Sequence, residues 1–147
     1  MQKSTLNNLL DANPQLWRGR RPNHRQNTLG TGYPRLDKRL PGGGWPLGAA
    51  IELIPGQAGL GELSLLLPVL AETGRQGQWI TLVDPPWIPY PAALHAHGLS
   101  LERLLLVRTR NEKESRWACE QALRSGRGGA VLAWPERIAF TQLRRLQ

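Results

Sequence analysis

The chain has 147 residues, one cysteine and a formal net charge of +8 at pH 7, with a sequence pI of about 11.0. This length predicts one domain, and no apolar run approaches the ~20 residues of a membrane-spanning helix. The amino terminus lacks the apolar core and cleavage site of a signal peptide, and a single cysteine excludes an internal disulfide. We therefore expect a cytoplasmic protein without a membrane partner.

Charge is distributed unevenly along the chain. Residues 1–39 carry eight Lys/Arg and two Asp/Glu, residues 40–100 one arginine and four acids, and residues 101–147 ten Lys/Arg and five acids. Basic ends beside an acidic middle are typical of proteins that bind a polyanion or an acidic protein surface. A soluble surface with excess arginine is the plainer alternative.

Composition separates the first 30 residues from the rest. Residues 4–10 are predicted as a short helix, and residues 18–25, RGRRPNHR, as a linker or arm without apolar side chains. We therefore expect an amino-terminal helix and basic arm over residues 1–30 and an α/β core over residues 31–147.

The arm supplies the preferred contacts with a partner. An apolar pair would anchor it, and four arginines would contact carboxylates or phosphates. These residues are Leu16, Trp17, Arg18, Arg20, Arg21 and Arg25. A solvated, disordered arm is the alternative, given its polarity and its glycine and proline content.

Predicted strands and helices alternate along the core. The strands are expected over residues 49–54, 78–83, 104–107 and 130–134, and the helices over residues 31–40, 60–73, 92–96, 112–125 and 141–147. Such alternation predicts a parallel sheet with helical crossovers. The last crossover is unfinished, so either the chain lacks a carboxy-terminal part or the domain is a reduced version of a larger fold.

Residues 54–63, IPGQAGLGEL, stand where a phosphate-binding loop would stand. A working loop reads G-x-x-x-x-G-K-[ST]; Gly56 and Gly61 have this spacing, but Glu62 and Leu63 occupy the lysine and hydroxyl positions. At ~4 Å and an effective dielectric near 20, Glu62 would repel a phosphate charge by about 4 kcal/mol. We therefore expect no ATP hydrolysis. From the loop alone, a glycine turn that never bound phosphate is the other interpretation.

The surrounding segment resembles the RecA recombinase family. The resemblance rests on TG at 31–32, LD at 36–37 and LPGGGWPLG at 40–48, followed by the loop, a helix and a strand in the same order. It implies a RecA-like, P-loop-type parallel sheet flanked by helices. That family has a glutamate after the second strand and an aspartate at the end of the fourth. Here proline follows Asp84, and Trp134 ends the fourth strand, so the resemblance implies a former nucleotide site without catalytic residues or cofactor.

A narrower resemblance is to the ImuA family, which contains RecA-like and SulA-like proteins encoded with bacterial mutagenic translesion polymerases. Its marks are LWRG at 16–19, TGYPxLD at 31–37, LPGGGWPxG at 40–48, GELxLLLP at 61–68 and AWP at 133–135. It implies a non-catalytic accessory protein of SOS-induced translesion DNA synthesis. The implied partners are the ImuB-type polymerase subunit of the mutasome and RecA, with a weak DNA contact as a further expectation.

From Glu62 onward the chain also resembles the cell-division inhibitor SulA. The alternative function is therefore an SOS regulator that blocks division by capping the tubulin-like division protein. The basic arm and residues 31–48 favour the translesion role, because the SulA resemblance begins only at the former phosphate loop.

The tryptophans divide into two expected groups. Trp79 and Trp134 lie on predicted strands and are expected in the core. Trp45 and Trp87 lie in loops rich in glycine or proline and are expected at the surface, where they would suit protein contacts or base stacking. Ordinary packing within a loop is the alternative for each.

The cysteine and two of the histidines give no sign of a reactive or metal-binding site. Cys119 lies near small residues on a predicted amphipathic helix and is expected to be a buried small hydrophobe. His95 and His97 have no cysteine or aspartate near them, so no metal site is expected.

Overall fold

The computed structural model describes residues 27–56 and 61–146. The elements are, in chain order, β1 (Thr28–Leu29), α1 (Pro34–Asp37), a 3-10 turn (Pro41–Gly43), β2 (Trp45–Pro46), α2 (Glu62–Arg75), β3 (Trp79–Val83), α3 (Pro91–Ala96), a second 3-10 turn (Leu101–Arg103), β4 (Leu104–Val107), α4 (Glu112–Arg124), β5 (Gly128–Ala133) and α5 (Phe140–Leu146). The helix predicted over residues 4–10 and the arm predicted over residues 18–25 lie outside the described residues. Within those residues, no helix is long and apolar enough to cross a bilayer.

The centre of the fold is a three-stranded parallel sheet in the order β4-β3-β5. β3 lies in the middle, and its Ile80 stands opposite Leu104 on one side and Ala130 on the other. The ladder to β5 shifts register between Trp79 and Ile80. A mixed α/β fold with helices joining parallel strands is therefore confirmed.

The strand predicted over residues 49–54 is absent, and the described sheet has three parallel strands instead of the four expected. β1 and β2 pair antiparallel in a separate sheet, and the Leu47 N–H extends their ladder to the carbonyl of Asn27 at 2.8 Å. Gly48, with a φ of 65°, then turns the chain. The prediction was wrong because an apolar run forms a strand only where an edge pairs with it, and Ile54 is instead 84% exposed.

Helices cover both faces of the parallel sheet. On one face, Ile80 and Leu82 of β3 join a core cluster with Leu70 of α2 and Leu94 of α3. Alternate residues of a strand face opposite sides. α4 packs against β5 and β3 and buries Cys119. α3 joins β3 to β4, and α4 joins β4 to β5, so the two connections cross the sheet in opposite directions. Because such connections between parallel strands are right-handed, α3 and α4 lie on opposite faces of the sheet.

The segment over residues 31–33, TGY, is held by hydrogen bonds and close packing. Thr31 is fully buried, and its N–H donates to Oδ1 of Asp37 at 2.8 Å. Gly32 has a φ of 84°, and a Cβ at this position would collide with the side chain of Pro68 inside α2. The threonine, glycine and aspartate of this motif are thus explained by the fold itself.

Candidate functional site

The glycine-rich segment over residues 54–63, which the sequence predicts to be a former phosphate loop, is described at its two ends. Gly56 is exposed, and Gly61 has a φ of 102° and immediately precedes α2. Glu62 lies in the first turn of α2, where the helix dipole favours a negative charge. Leu63, at the position where a working loop has its hydroxyl, packs against the hydrophobic core. A glycine turn therefore precedes α2, and Leu63 contributes to the packing of the core.

The two positions at which RecA-type ATPases have acidic residues are also taken by packing residues. Pro85, which follows Asp84, is fully buried. Trp134, at the end of β5, is half-buried and packs against the core. A tryptophan and a proline offer neither a proton acceptor nor a metal ligand at the edge of the sheet.

Asp84 joins the end of β3 to the segment after β4. Its Oδ1 accepts from the Thr109 N–H at 2.7 Å and its Oδ2 from the Thr109 hydroxyl at 2.6 Å. Burial alone would raise the pKa of Asp84, but hydrogen bonds from Thr109 and Ser115 and the charge of Arg108 outweigh it and lower the pKa. Its φ of 49° is the one positive value among the described non-glycine residues. Asp84 is thus an ionised carboxylate with a structural role.

A groove of about 240 Å³ opens beside Asp84 at the carboxyl ends of the strands. This is the edge at which open α/β sheets bind ligands. Its ionisable lining consists of Asp84, Glu112, Glu136, Arg110, Arg116 and Arg137. Three acids balance three arginines, so the groove has no net charge that would select an anionic or a cationic ligand. Among residues 27–56 and 61–146, no group of three or more His, Cys, Asp or Glu could hold a metal ion.

Three large apolar side chains are exposed together between β3 and α3. Trp87 is 73% exposed, Ile88 75% and Tyr90 73%. The four prolines of the surrounding sequence PPWIPYP restrict the backbone to extended conformations. We call Trp87, Ile88 and Tyr90 the aromatic segment. Exposed apolar clusters rich in tryptophan and tyrosine are typical of protein-binding surfaces.

The sequence predicted this surface only in part. The exposure of Trp87 is confirmed, whereas the sequence-based prediction does not include Ile88 and Tyr90. The signal that could have found them is the spacing of the prolines, which leaves no run of residues free to form a helix or strand that would bury them.

The prediction for Trp45 was wrong. Trp45 is 8% exposed and belongs to the core cluster, because β2 pairs with β1 and the strand packs its indole inward. Trp79 is half-buried, with the guanidinium carbon of Arg103 at 5.6 Å from its ring centroid. Cys119 is buried, as predicted.

The predicted contacts of the arm lie outside the described residues. Their role in binding a partner therefore stays a prediction. These residues are Leu16, Trp17, Arg18, Arg20, Arg21 and Arg25.

Comparison with known proteins identifies relatives for most of the described fold. A family model described as "Cell division inhibitor SulA" matches residues 51–147. SulA of Pseudomonas aeruginosa is 35% identical over 88 residues, which are 56% of this chain and 55% of that protein. SulA of Edwardsiella piscicida is 37% identical over 84 residues, which are 56% of this chain and 50% of that protein.

A RecA protein and a solved structure are also similar to this chain. RecA of Gluconobacter oxydans is 30% identical over 108 residues, which are 74% of this chain and 31% of RecA. The crystal structure of SulA from Pseudomonas aeruginosa matches with a TM-score of 0.51 and 31% identity, over 61% of this chain and 79% of that one.

The matched region contains the parallel sheet and the candidate surfaces. The chain spans about half the length of the curated SulA relatives it matches. The region from residue 51 onward includes the glycine-rich segment over residues 54–63, the strands β3 to β5 and the helices α2 to α5. These comparisons do not show the narrower ImuA assignment. Because the family model covers well over half of the chain, this protein belongs to the SulA family.

Proposed function

We propose that this protein is a SulA-like inhibitor of cell division in the SOS response, acting by contact with the tubulin-like division protein. The observation that carries the proposal is the match of the SulA family model to residues 51–147. The likeness to the Pseudomonas aeruginosa SulA structure, at a TM-score of 0.51, supports it. This reverses the order of the two functions expected from the sequence, in which the translesion role came first.

The aromatic segment is the surface that we assign to this contact. Trp87 and Tyr90 lie inside the SulA-matched region, and each is 73% exposed. Tryptophan and tyrosine dominate the residues that contribute most to protein interfaces, where truncation typically costs about 2 kcal/mol or more. Because both side chains are exposed in the free protein, removing them should weaken the contact without unfolding the chain.

The proposal is tested by following polymerisation of the tubulin-like division protein by sedimentation and light scattering. The wild-type chain should lower the amount of polymer in proportion to its concentration. For the double variant Trp87→Ala, Tyr90→Ala, the concentration that lowers the polymer by the same amount should be at least roughly tenfold higher. Leu123→Ala is the matched control, since Leu123 is an apolar side chain on α4 that is 46% exposed.

Two results would contradict the proposal in different ways. Unchanged polymer at every wild-type concentration would reject division inhibition. Inhibition that survives in the double variant would reject the aromatic segment as the contact, while leaving the function in place.

The second candidate is the non-catalytic accessory role in translesion synthesis. The similarity to RecA favours this candidate. That similarity extends over 108 residues, which is longer than the SulA-matched region over residues 51–147. The similarity must therefore extend beyond that region. In this role the ImuB-type polymerase subunit and RecA would be the partners. A pulldown of the full chain against the division protein, the polymerase subunit and RecA separates the two candidates by which partner is retained.

Both candidate functions are proposed without nucleotide hydrolysis. The reason is the set of residues at the former ATPase positions: Glu62, Leu63, Pro85 and Trp134. A fluorescent ATP analogue titrated with Mg²⁺ tests this directly. Saturable binding in the micromolar range would overturn the interpretation of Glu62 as a charge that repels a triphosphate.

A further inference from the structure

A second surface lies between α4 and α5, separate from the aromatic segment. The two helices pack against each other and leave a groove of about 260 Å³. We call it the α4–α5 groove, and its polar and aromatic lining consists of Lys113, Arg116, Trp117, Glu120, Gln142 and Arg145. Because α4 covers the face of the sheet opposite α3, a ligand here would not compete with a partner on the aromatic segment.

The charge of the α4–α5 groove is positive. It contains three cations and one acid. Arg116 pairs with Glu112 at 3.3 Å, and Glu120 lies 4.0 Å from Arg124. Within the part of the chain that the structure describes, no ion pair joins Lys113 or Arg145. These two cations are therefore left to attract an anionic partner.

Trp117 distinguishes the kind of anion. It is 63% exposed, although it stands on an amphipathic helix beside the groove. A planar aromatic ring among cations provides both a stacking surface for a base and contacts for phosphates, which is how proteins bind single-stranded nucleic acids. An acidic peptide would use Lys113 and Arg145 but would gain little from an exposed indole.

We propose that the α4–α5 groove binds single-stranded nucleic acid, with one base stacked on Trp117 and flanking phosphates at Lys113 and Arg145. The Gln142 side-chain oxygen accepts from the Ala139 N–H at 2.9 Å, and its amide N–H groups can donate to a base edge. A volume of about 260 Å³ is below the 300–1,000 Å³ usual for sites that enclose a drug-sized ligand. The groove therefore takes one nucleotide of a strand at a time.

The test is fluorescence anisotropy of the full chain with a labelled oligothymidylate of about 15 nucleotides, at salt concentrations between about 50 and 200 mM. Wild-type affinity should fall steeply with salt. Trp117→Ala should weaken binding by about tenfold, and Lys113→Ala with Arg145→Ala should lower the salt slope by about 1.4, since each phosphate contact on a single strand contributes about 0.7. The control Lys38→Ala with Arg39→Ala removes the same charge from exposed positions elsewhere and should change affinity by less than about twofold.

An abasic strand of the same length separates stacking from charge. The affinity of the wild type for the abasic strand should be about as low as the affinity of Trp117→Ala for the ordinary strand. Trp117→Ala should bind both strands with the same affinity. Trp117→Phe should retain most of the affinity, and circular dichroism should show all variants folded. An oligoribonucleotide measured alongside reports whether the groove prefers DNA or RNA, and either preference supports the proposal.

Three results would overturn the proposal. Equal losses in the groove variant and in the Lys38 and Arg39 control would show binding by bulk charge. Binding abolished by alanines at Arg18, Arg20, Arg21 and Arg25, but untouched by the groove variants, would place it on the arm. Polyglutamate that competes as well as the oligonucleotide would identify an acidic peptide as the better ligand.

Discussion

The hydroxyl of Tyr33 donates a hydrogen bond at 3.2 Å to the carbonyl of Ser64, the group that Pro68 leaves without its helical donor. In an α-helix the N–H at position 68 would bond to the carbonyl four residues earlier, and proline has no N–H. Gly32 packs against the same proline. The TGY motif and the proline of α2 thus form one structural unit.

Tyr33→Phe should therefore lower the free energy of unfolding by about 0.5–1.5 kcal/mol, the net contribution of one hydrogen bond. The loss should be smaller in a Pro68→Ala background, since a backbone N–H at position 68 can then satisfy the Ser64 carbonyl. Urea denaturation of the two single variants and the double variant gives the coupling energy. Equal losses from Tyr33→Phe in both backgrounds would show that the hydroxyl does not replace the missing donor.

Gly32→Ala should destabilise the protein by roughly 1–3 kcal/mol through overpacking against Pro68, in addition to the strain of a positive φ. Gly43 provides the control, because its φ of 80° is similar but nothing lies within 4 Å of an added Cβ. Gly43→Ala should show only the backbone strain, about 1–2 kcal/mol. Thermal unfolding measures both variants, and a larger loss at Gly43 would contradict the close packing at Gly32.

Asp84→Asn should destabilise the protein at neutral pH by about 1–3 kcal/mol, because hydrogen bonds to the charged carboxylate are lost. Asparagine tolerates a positive φ as aspartate does, so the change adds no backbone strain. The folded-state pKa of Asp84 is lowered below 3.8. Its stabilising contribution is therefore present above the unfolded-state pKa and is lost as pH falls through the folded-state value.

The difference in unfolding free energy between wild type and Asp84→Asn should accordingly be constant near neutral pH and shrink as the pH falls below about 4. Urea denaturation at a series of pH values measures it. Thr109→Val, which removes the hydroxyl donor but keeps the backbone N–H, should show part of the same loss. A difference that grows with acidification would contradict the direction of the pKa shift.

Restoring the phosphate-loop consensus with Glu62→Lys and Leu63→Ser should not create an ATPase. The acidic positions remain proline and tryptophan, and Leu63→Ser removes a side chain that packs against the core. We expect no phosphate release and a loss of stability of about 1–3 kcal/mol. Leu63→Met controls for core volume and should cost less than about 1.5 kcal/mol. Steady phosphate release by the double variant would contradict the prediction that Pro85 and Trp134 leave this chain without catalytic groups.

Cys119 should resist alkylation in the native protein. Burial raises the pKa of its thiol, and the negative charge of Asp84 raises that pKa further. Little thiolate therefore exists at neutral pH, and the sulfur is inaccessible. Iodoacetamide followed by mass spectrometry should show labelling at a rate set by unfolding, with rapid labelling in denaturant. Fast labelling of the folded chain would contradict the burial.

The sequence by itself determined where several of the strands and helices lie. Periodicity and breakers located β3, α4 and β5 to within about two residues, because these features depend on neighbours along the chain. The exposure of Trp87 was predictable for the same reason, since prolines on both sides prevent it from joining a buried element. The interpretation of Glu62 and Leu63 as the mark of a lost nucleotide site stays a prediction.

Only the tertiary structure decided which groups meet across the chain. Residues 49–54 have the pattern of a strand, but a strand forms only where an edge pairs with it, and neither described sheet pairs with these residues. The same pairing buries Trp45, which its glycine-rich surroundings predicted to be exposed. The α4–α5 groove brings Trp117 beside Arg145, two residues too far apart in sequence for any local pattern to join them. Strand pairing and packing depend on contacts between segments that are far apart in the sequence. A local sequence pattern contains no information about which of these segments meet.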